Sequence, residues 1–242
     1  MAVEWATLND ALVLRDTKLN WRLYDAFGPN VVKWIEDFVY LNVDDTTTDL
    51  TAYTHTPVEA GAGTSTAALT PAAGGALLIT AAANENDGLN LQLKNGEAFK
   101  FDAAYPTYFG IKLQAADVDQ SDFLVGLAVQ DTSAIAAVAD GVYFRSVDEA
   151  ATVQFITEKD STETSAGSVA TMSDATDITL EFYYDGVNAT AYVNGTEAAS
   201  VANSDTNFQD DEELTPTIAF LTGEAVANTM QVAWARCIQI RN

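Results

Sequence analysis

Three acidic residues, Glu158, Asp160 and Glu163, stand close together in the run EKDSTE. Paired carboxylates are the apparatus of glycoside hydrolysis, in which one acts as nucleophile and the other protonates the leaving group. The neighbouring residues argue against that use. Lys159, Ser161 and Thr162 separate the acids and STETSAGS follows, which is the composition of a solvated loop. His55, the only histidine, lies in the polar stretch AYTHTP. A triad would need a nucleophile and an orienting carboxylate around it, and no G-x-S-x-G occurs, so an exposed loop histidine is expected. Cys237 is the only cysteine, so no intrachain disulfide can form, and its strand-like surroundings suggest a small buried residue. One histidine and one cysteine do not make a zinc site. There is no P-loop and no G-x-G-x-x-G. No enzyme, metal or cofactor is expected.

Charge narrows the partners. The chain of 242 residues has 35 acidic and 11 basic side chains and a formal charge of −24. Residues 1–33 carry Glu4, Asp10, Asp16 and Asp25 against Arg15, Lys18, Arg22 and Lys33 and sum to zero. The whole imbalance therefore falls on the remainder. Such a body repels phosphate backbones and anionic membranes, so no nucleic acid and no membrane is expected as a partner. It suits high ionic strength, where salt screens self-repulsion beyond ~10 Å. The start, MAVEWATLND, lacks the basic flank and apolar core of a secretory signal, and no stretch approaches the ~18 apolar residues of a membrane span. Synthesis and folding in a cytoplasm are expected.

The elements that must position any site read as strands. In residues 177–201, DITLEFYYDGVNATAYVNGTEAASV, Ile178, Leu180, Phe182 and Tyr184 alternate with polar neighbours, which sets one row against a core. Asp185-Gly186 and Asn194-Gly195 are expected to close hairpins as type I′ turns, which need positive φ at both central residues. Further strands are expected at 76–82, 89–93, 97–101, 109–115, 123–129, 141–147, 151–157, 215–221 and 230–240, and a weaker one at 50–54. In the last of the main set, Met230, Val232 and Trp234 are expected to share a face. Residues 67–75 read as a small-residue loop, and Asp148-Glu149 as a turn. Strands at this spacing, with no βαβ alternation, favour a sandwich or barrel.

Residues 1–33 differ. Leu8, Ala11, Leu12 and Arg15 have helical spacing, as do Leu19, Leu23 and Phe27, and Gly28-Pro29 would stop a helix. The segment is expected to be an N-terminal arm or short-helix region. It either packs on its own domain or docks on a partner. The β domain is placed at 34–242.

The pattern FYYDG, six residues, then VNG resembles the hairpin of concanavalin A-like sandwiches, above all their laminin G-like and pentraxin-like branch. Phe182 to Gly186 and Val193 to Gly195 carry the match, over about a tenth of the chain. The resemblance implies an all-β, two-sheet antiparallel jelly roll. Glycosidases of that family carry E-x-D-x-x-E on a packed strand with largely apolar intervening positions, unlike those here. Relatives often hold calcium in loops. The oxygen clusters that could do so are Asp44, Asp45 and Asp49; Asn84, Glu85, Asn86 and Asp87; and Asp205, Asn207, Asp210 and Asp211. None has EF-hand spacing, and no metal site is assigned. For sugar binding the outward aromatics would be Tyr53, Tyr105, Tyr108, Tyr143 and Tyr183, each read first as a sheet-surface or core-edge residue.

In overall style, signal-free, almost cysteine-free, acidic, rich in Ala, Thr and Asp, with runs such as FLVGLAVQD and GVYFRS, the chain resembles concanavalin A-like structural proteins of tailed phages. That resemblance implies a non-enzymatic virion protein of the capsid decoration (cement) type, binding the major capsid protein as a homo-oligomer, a trimer by preference. Residues 1–33 would be its docking segment. Trp5, Trp21 and Tyr24 would anchor it, and Arg15, Lys18 and Arg22 would meet carboxylates of the shell. The alternative is a carbohydrate-binding, lectin-like module or adhesin.

Overall fold

Alternating apolar side chains and tight turns make the chain a succession of antiparallel strands. The computed structural model describes residues 2–43, 49–147 and 150–241. Asp44, Asp45 and the turn expected at Asp148-Glu149 lie outside the described residues. Seven strands form one sheet in the order β13 (Thr162–Thr171), β12 (Thr152–Lys159), β11 (Gly141–Ser146), β10 (Ser121–Ala128), β17 (Thr215–Thr222), β8 (Gly88–Leu93) and β5 (Tyr53–Val58). The facing sheet runs β16 (Thr196–Ala202), β15 (Asn188–Val193), β14 (Ile178–Tyr184), β9 (Thr107–Ala115), β18 (Thr229–Ile240), β7 (Ala76–Thr80) and β6 (Thr66–Thr70). Strand β4 (Val31–Glu36) shares the β7 edge of β18, pairing its second half. A third, small sheet consists of β1 (Val3–Leu8), β2 (Ala11–Asp16) and β3 (Leu23–Phe27).

The core lies between the two large sheets. Phe109, Ile111, Leu113, Leu180 and Phe182 meet Phe123, Val125, Leu127, Phe144, Phe155, Ile218 and Phe220 there. These are the alternating positions of their strands, so period-two patterning alone brings them together. Cys237 is fully buried on the same side, and burial pushes its thiol pKa up, which keeps it an inert thiol.

Several local expectations change. Residues 1–33 form strands where the spacing suggests helices, because Asn9 and Asp10 both take left-handed φ (45° and 64°) and turn β1 back onto β2. Strand β4, which pairs with β18, starts at Val31. Residues 66–70 are a strand, the strand expected at 50–54 starts at Tyr53, and residues 97–101 contribute only the isolated bridge from Phe99 to Leu214. Asn194-Gly195 closes its hairpin with φ of 50° and 82°. The preceding turn centres on Gly186-Val187 instead of Asp185-Gly186. There the Asp185 carboxylate accepts the amides of Val187 and Asn188, and a Cβ on Gly186 would stand 2.2 Å from the Ala103 carbonyl oxygen.

Both outer faces are covered in part. Residues 129–140, with the short helix α1 (Ala134–Ala137), lie across the seven-stranded sheet, where Ala134 and Val138 pack on Leu124, Tyr143, Ile156 and Ala219. Asn90 and Gln92 pin that crossing by donating to the carbonyls of Thr132 and Val129. The small sheet covers one end of the eight-stranded sheet, with Ala11, Val13, Leu23 and Ala26 on Tyr108, Ile238 and Ile240. Among the described residues no helix is long and apolar enough to cross a membrane.

Candidate functional site

The six residues expected to dock a partner are divided by the structure into an inner and an outer set. Arg22 and Tyr24 face inward. The Arg22 guanidinium makes a bidentate ion pair with Glu181, through Nε at 2.6 Å and a second bond from Nη2 to Oε2. Glu181 is fully buried on β14 and also accepts from the Tyr108 hydroxyl at 2.8 Å. Burial alone would lower the pKa of Arg22, but the Glu181 carboxylate outweighs it and raises the pKa. Trp21 stacks on Tyr192 of β15, with ring centroids 3.6 Å apart and planes 12° from parallel. Tyr24 donates to Asp16, which also accepts the amides of Lys18 and Leu19. The Arg22 and Trp21 contacts seat the small sheet on the eight-stranded sheet, and those of Asp16 brace the small sheet itself.

Trp5, Arg15 and Lys18 do not join that set. Arg15 pairs with Glu4 across the first hairpin at 2.9 Å, and Lys18 is exposed. Trp5 lies on the outer face of the small sheet, 5.8 Å from the Phe27 ring. Val3 (52% exposed), Trp5 (55%), Leu12 (46%) and Phe27 (49%) share that face, with Leu14 between them. Strand β1 is also a free edge of its sheet.

Beside the inner set the small sheet and the eight-stranded sheet enclose a cleft of ≈ 410 Å³, lined by Arg22, Tyr24, Tyr108, Lys112, Thr179, Asn194, Trp234 and Arg236. Trp234 reaches it through an irregularity in β18. The pairing with β9 skips a residue between Val232 and Trp234, so Met230, Val232, Ala235 and Cys237 face the core while Trp234 and Arg236 face outward. Trp234 therefore does not share the face of Met230 and Val232, because a bulge reverses the phase of alternation. Arg236 lies 4.5 Å above the Trp234 ring and 5.7 Å from that of Tyr24. Sequence reasoning missed both residues. The available sign was Arg236 itself, since strict alternation from Met230 would bury a cation in the core.

The acidic triplet is built differently from a catalytic strand. Glu158 is the penultimate residue of β12 and Glu163 the second of β13, facing each other across a hairpin, with Asp160 and Ser161 at its left-handed turn. Of the STETSAGS run expected as loop, residues 162–168 are strand, part of β13. Glu158 accepts from the Tyr143 hydroxyl at 2.5 Å, and burial raises its pKa. Glu163 pairs with Arg145 at 2.7 Å. The oxygen clusters serve internal bonds. Asp87 accepts from Ala60 and Asn84, Asp205 from Thr164 and Asn207, and Asp210 and Asp211 pair with Lys159. Of the tyrosines, Tyr53, Tyr108 and Tyr143 are buried, and Tyr105 and Tyr183 are half-buried.

His55 is not a free loop histidine. Its Nε2 accepts the Leu50 amide at 2.9 Å, and its Nδ1 lies 3.3 Å from Asp49, an arrangement that needs the neutral ring. Burial pushes its pKa below the ordinary 6.5, partly offset by Asp49. The folded state thus binds fewer protons than the unfolded one, and His55 stabilises the fold above pH ~6.5 and ceases to as pH falls through its folded pKa. The urea-midpoint advantage of wild type over His55→Gln is expected to shrink between pH 7 and pH 5. A constant advantage would contradict this.

No sequence-family model and no curated protein matches the chain. Solved structures do. A protein of unknown function from Shewanella oneidensis MR-1 is similar over 87% of each chain, with 11% identity and a TM-score of 0.61. A glycoside hydrolase family 16 endo-glucanase from Bacteroides ovatus aligns over 84% of this chain and 98% of its own, with 12% identity and a TM-score of 0.57. The Emp46p carbohydrate recognition domain aligns over 84% and 94%, with 10% identity and a TM-score of 0.55. At such identities the likeness establishes architecture alone: this chain is an all-β, two-sheet antiparallel jelly roll of the concanavalin A-like kind.

Proposed function

We propose that the protein is a non-enzymatic structural protein that assembles through the outer face of its small N-terminal sheet, in the manner of a capsid decoration protein acting as an oligomer on a virion shell. The observation that carries this reading is the contiguous apolar face of Val3, Trp5, Leu12 and Phe27. Large exposed apolar patches mark contact surfaces. This one sits on residues 1–33, whose charges sum to zero in a chain of charge −24. Copies that repel through their bodies can meet there at the least electrostatic cost. The covering of the seven-stranded sheet and the hairpin placement of Glu158 and Glu163 both favour a non-catalytic role.

Light scattering across a concentration series tests it. Wild type is expected to be a dimer or trimer, and Trp5→Ser/Leu12→Ser is expected to raise the dissociation constant about 30-fold or more while leaving the melting temperature nearly unchanged. A wild-type monomer at high concentration would overturn self-assembly through this face. A second reading, a lectin-like module, is favoured by the aromatic and cationic cleft at Trp234, and the similar structures include a carbohydrate recognition domain.

A further inference from the structure

We propose that the cleft at Trp234 and Arg236 binds an acidic saccharide, a uronate whose carboxylate is held by Arg236 and whose ring lies against Trp234. The proposal rests on the lectin-like reading and names its ligand class.

Arg236 carries the argument. The chain has 35 carboxylate side chains, yet among the described residues none pairs with Arg236. Its guanidinium is half-buried. Nη1 makes one long bond to the Tyr24 carbonyl, at 3.4 Å, and Nε is buried without a hydrogen-bond partner. A guanidinium has five donors in a planar fork, and leaving buried donors unmet is costly. A ligand carboxylate would meet the fork in bidentate geometry through its Nη groups, the buried Nε lying out of its reach. The other cations of the cleft are already committed. Arg22 is engaged with Glu181, and Lys112 with Asp177 at 2.6 Å, so Arg236 is the cation of the cleft whose charge no carboxylate of the described residues meets.

The rest of the cleft suits a sugar ring better than a bare anion. Arg236 covers one face of the Trp234 ring, so a pyranose would meet the indole where it lines the cleft beside the guanidinium. Asn194 uses its Oδ1 to accept the Thr179 amide at 2.9 Å, which leaves its Nδ2 as a donor for ring hydroxyls. The volume of ≈ 410 Å³ is at the small end of the ~300–1,000 Å³ usual for ligand pockets, room for one or two sugar units. The acidic body does not forbid an anion here, because charges beyond about 8 Å are screened at physiological salt and the cleft's cations Arg22, Lys112 and Arg236 outnumber the carboxylates of Glu181 and Asp177 bonded to its lining. The bulge that turns Trp234 outward costs ladder pairing in a central strand, and re-aiming a side chain is a recurrent use of such bulges.

The test is a two-dimensional NMR titration of the full chain, following the Trp234 indole signal assigned with Trp234→Phe. The probes are methyl galacturonoside and glucuronate, galactose and glucose, and acetate. The uronates are expected to shift the signal saturably, with affinity falling as salt rises. Neutral sugars and acetate are expected to bind at least about tenfold more weakly, and Arg236→Gln to weaken uronate binding about 10- to 100-fold. Binding kept in a folded Arg236→Gln protein would overturn the proposal. Equal binding of neutral sugars would overturn it and leave the lectin-like reading standing. Equal binding of acetate would reduce the site to an anion hole, and no response to any sugar would end both readings.

Discussion

Arg22→Met is expected to destabilise the protein by about 3–5 kcal/mol, the typical cost of leaving one member of a buried ion pair alone. Glu181 is fully buried, and its carboxylate loses two charge-assisted bonds while keeping only the Tyr108 hydroxyl. Methionine preserves the apolar stem, so the loss reports the charge and not the packing. The double variant Arg22→Met/Glu181→Gln removes the stranded charge and still accepts from Tyr108, and it is expected to recover most of the loss. Urea unfolding of the two single variants and the double variant yields the coupling directly. A double variant as unstable as Arg22→Met would show that the small sheet is held by packing alone. The small sheet should also open first in the single variant, since what then holds it is chiefly the Trp21–Tyr192 stack and the apolar layer on Tyr108, Ile238 and Ile240, with long bonds such as those from Arg236 to the Tyr24 carbonyl and from Asn9 to the Ala104 carbonyl. Protease nicking within residues 2–27, below the global transition, is the expected sign.

Phe182→Ala is expected to cost a similar 3–5 kcal/mol, from lost burial and the cavity left behind. Phe182 is fully buried between the sheets. It stacks on Phe109 at 5.2 Å and meets Phe155 at 5.8 Å, Phe101 at 6.1 Å and Phe144 at 6.3 Å. The two sheets and a connecting segment therefore converge on one ring, and its removal leaves a gap that close-packed neighbours fill only in part. Phe182→Leu should lose markedly less. Against a total stability of ~5–15 kcal/mol for a domain, the alanine variant should show a large fall in urea midpoint at unchanged slope. A loss below about 1 kcal/mol would mean that the aromatic cluster rearranges freely.

Residues whose neighbours along the chain define their environment were readable from the sequence. Ile178, Leu180, Phe182 and Tyr184 alternate, and burial on one sheet face needs nothing more than that period. Asn194-Gly195 announces its turn because left-handed φ is a local cost that these residues bear least. The two-sheet architecture follows from many such strands and short turns, and the charge divide between residues 1–33 and the body is a matter of composition.

Only the tertiary structure decided where the outward side chains went. Leu8, Ala11, Leu12 and Arg15 have helical spacing, yet the turn at Asn9-Asp10 and the apolar face of Tyr108, Ile238 and Ile240 make them strands, since burial against a partner sheet outweighs weak local propensity. Asp185-Gly186 gave way to a turn at Gly186-Val187, in which the Asp185 carboxylate accepts the amides of Val187 and Asn188. Trp234 and Arg236 reached the cleft through a bulge that reverses the alternation, and Arg22 found Glu181 across 159 residues of chain. A period in the sequence sets which residues share a face. Which sheet then covers that face, and which charge is buried opposite which, depends on long-range packing that no local window contains.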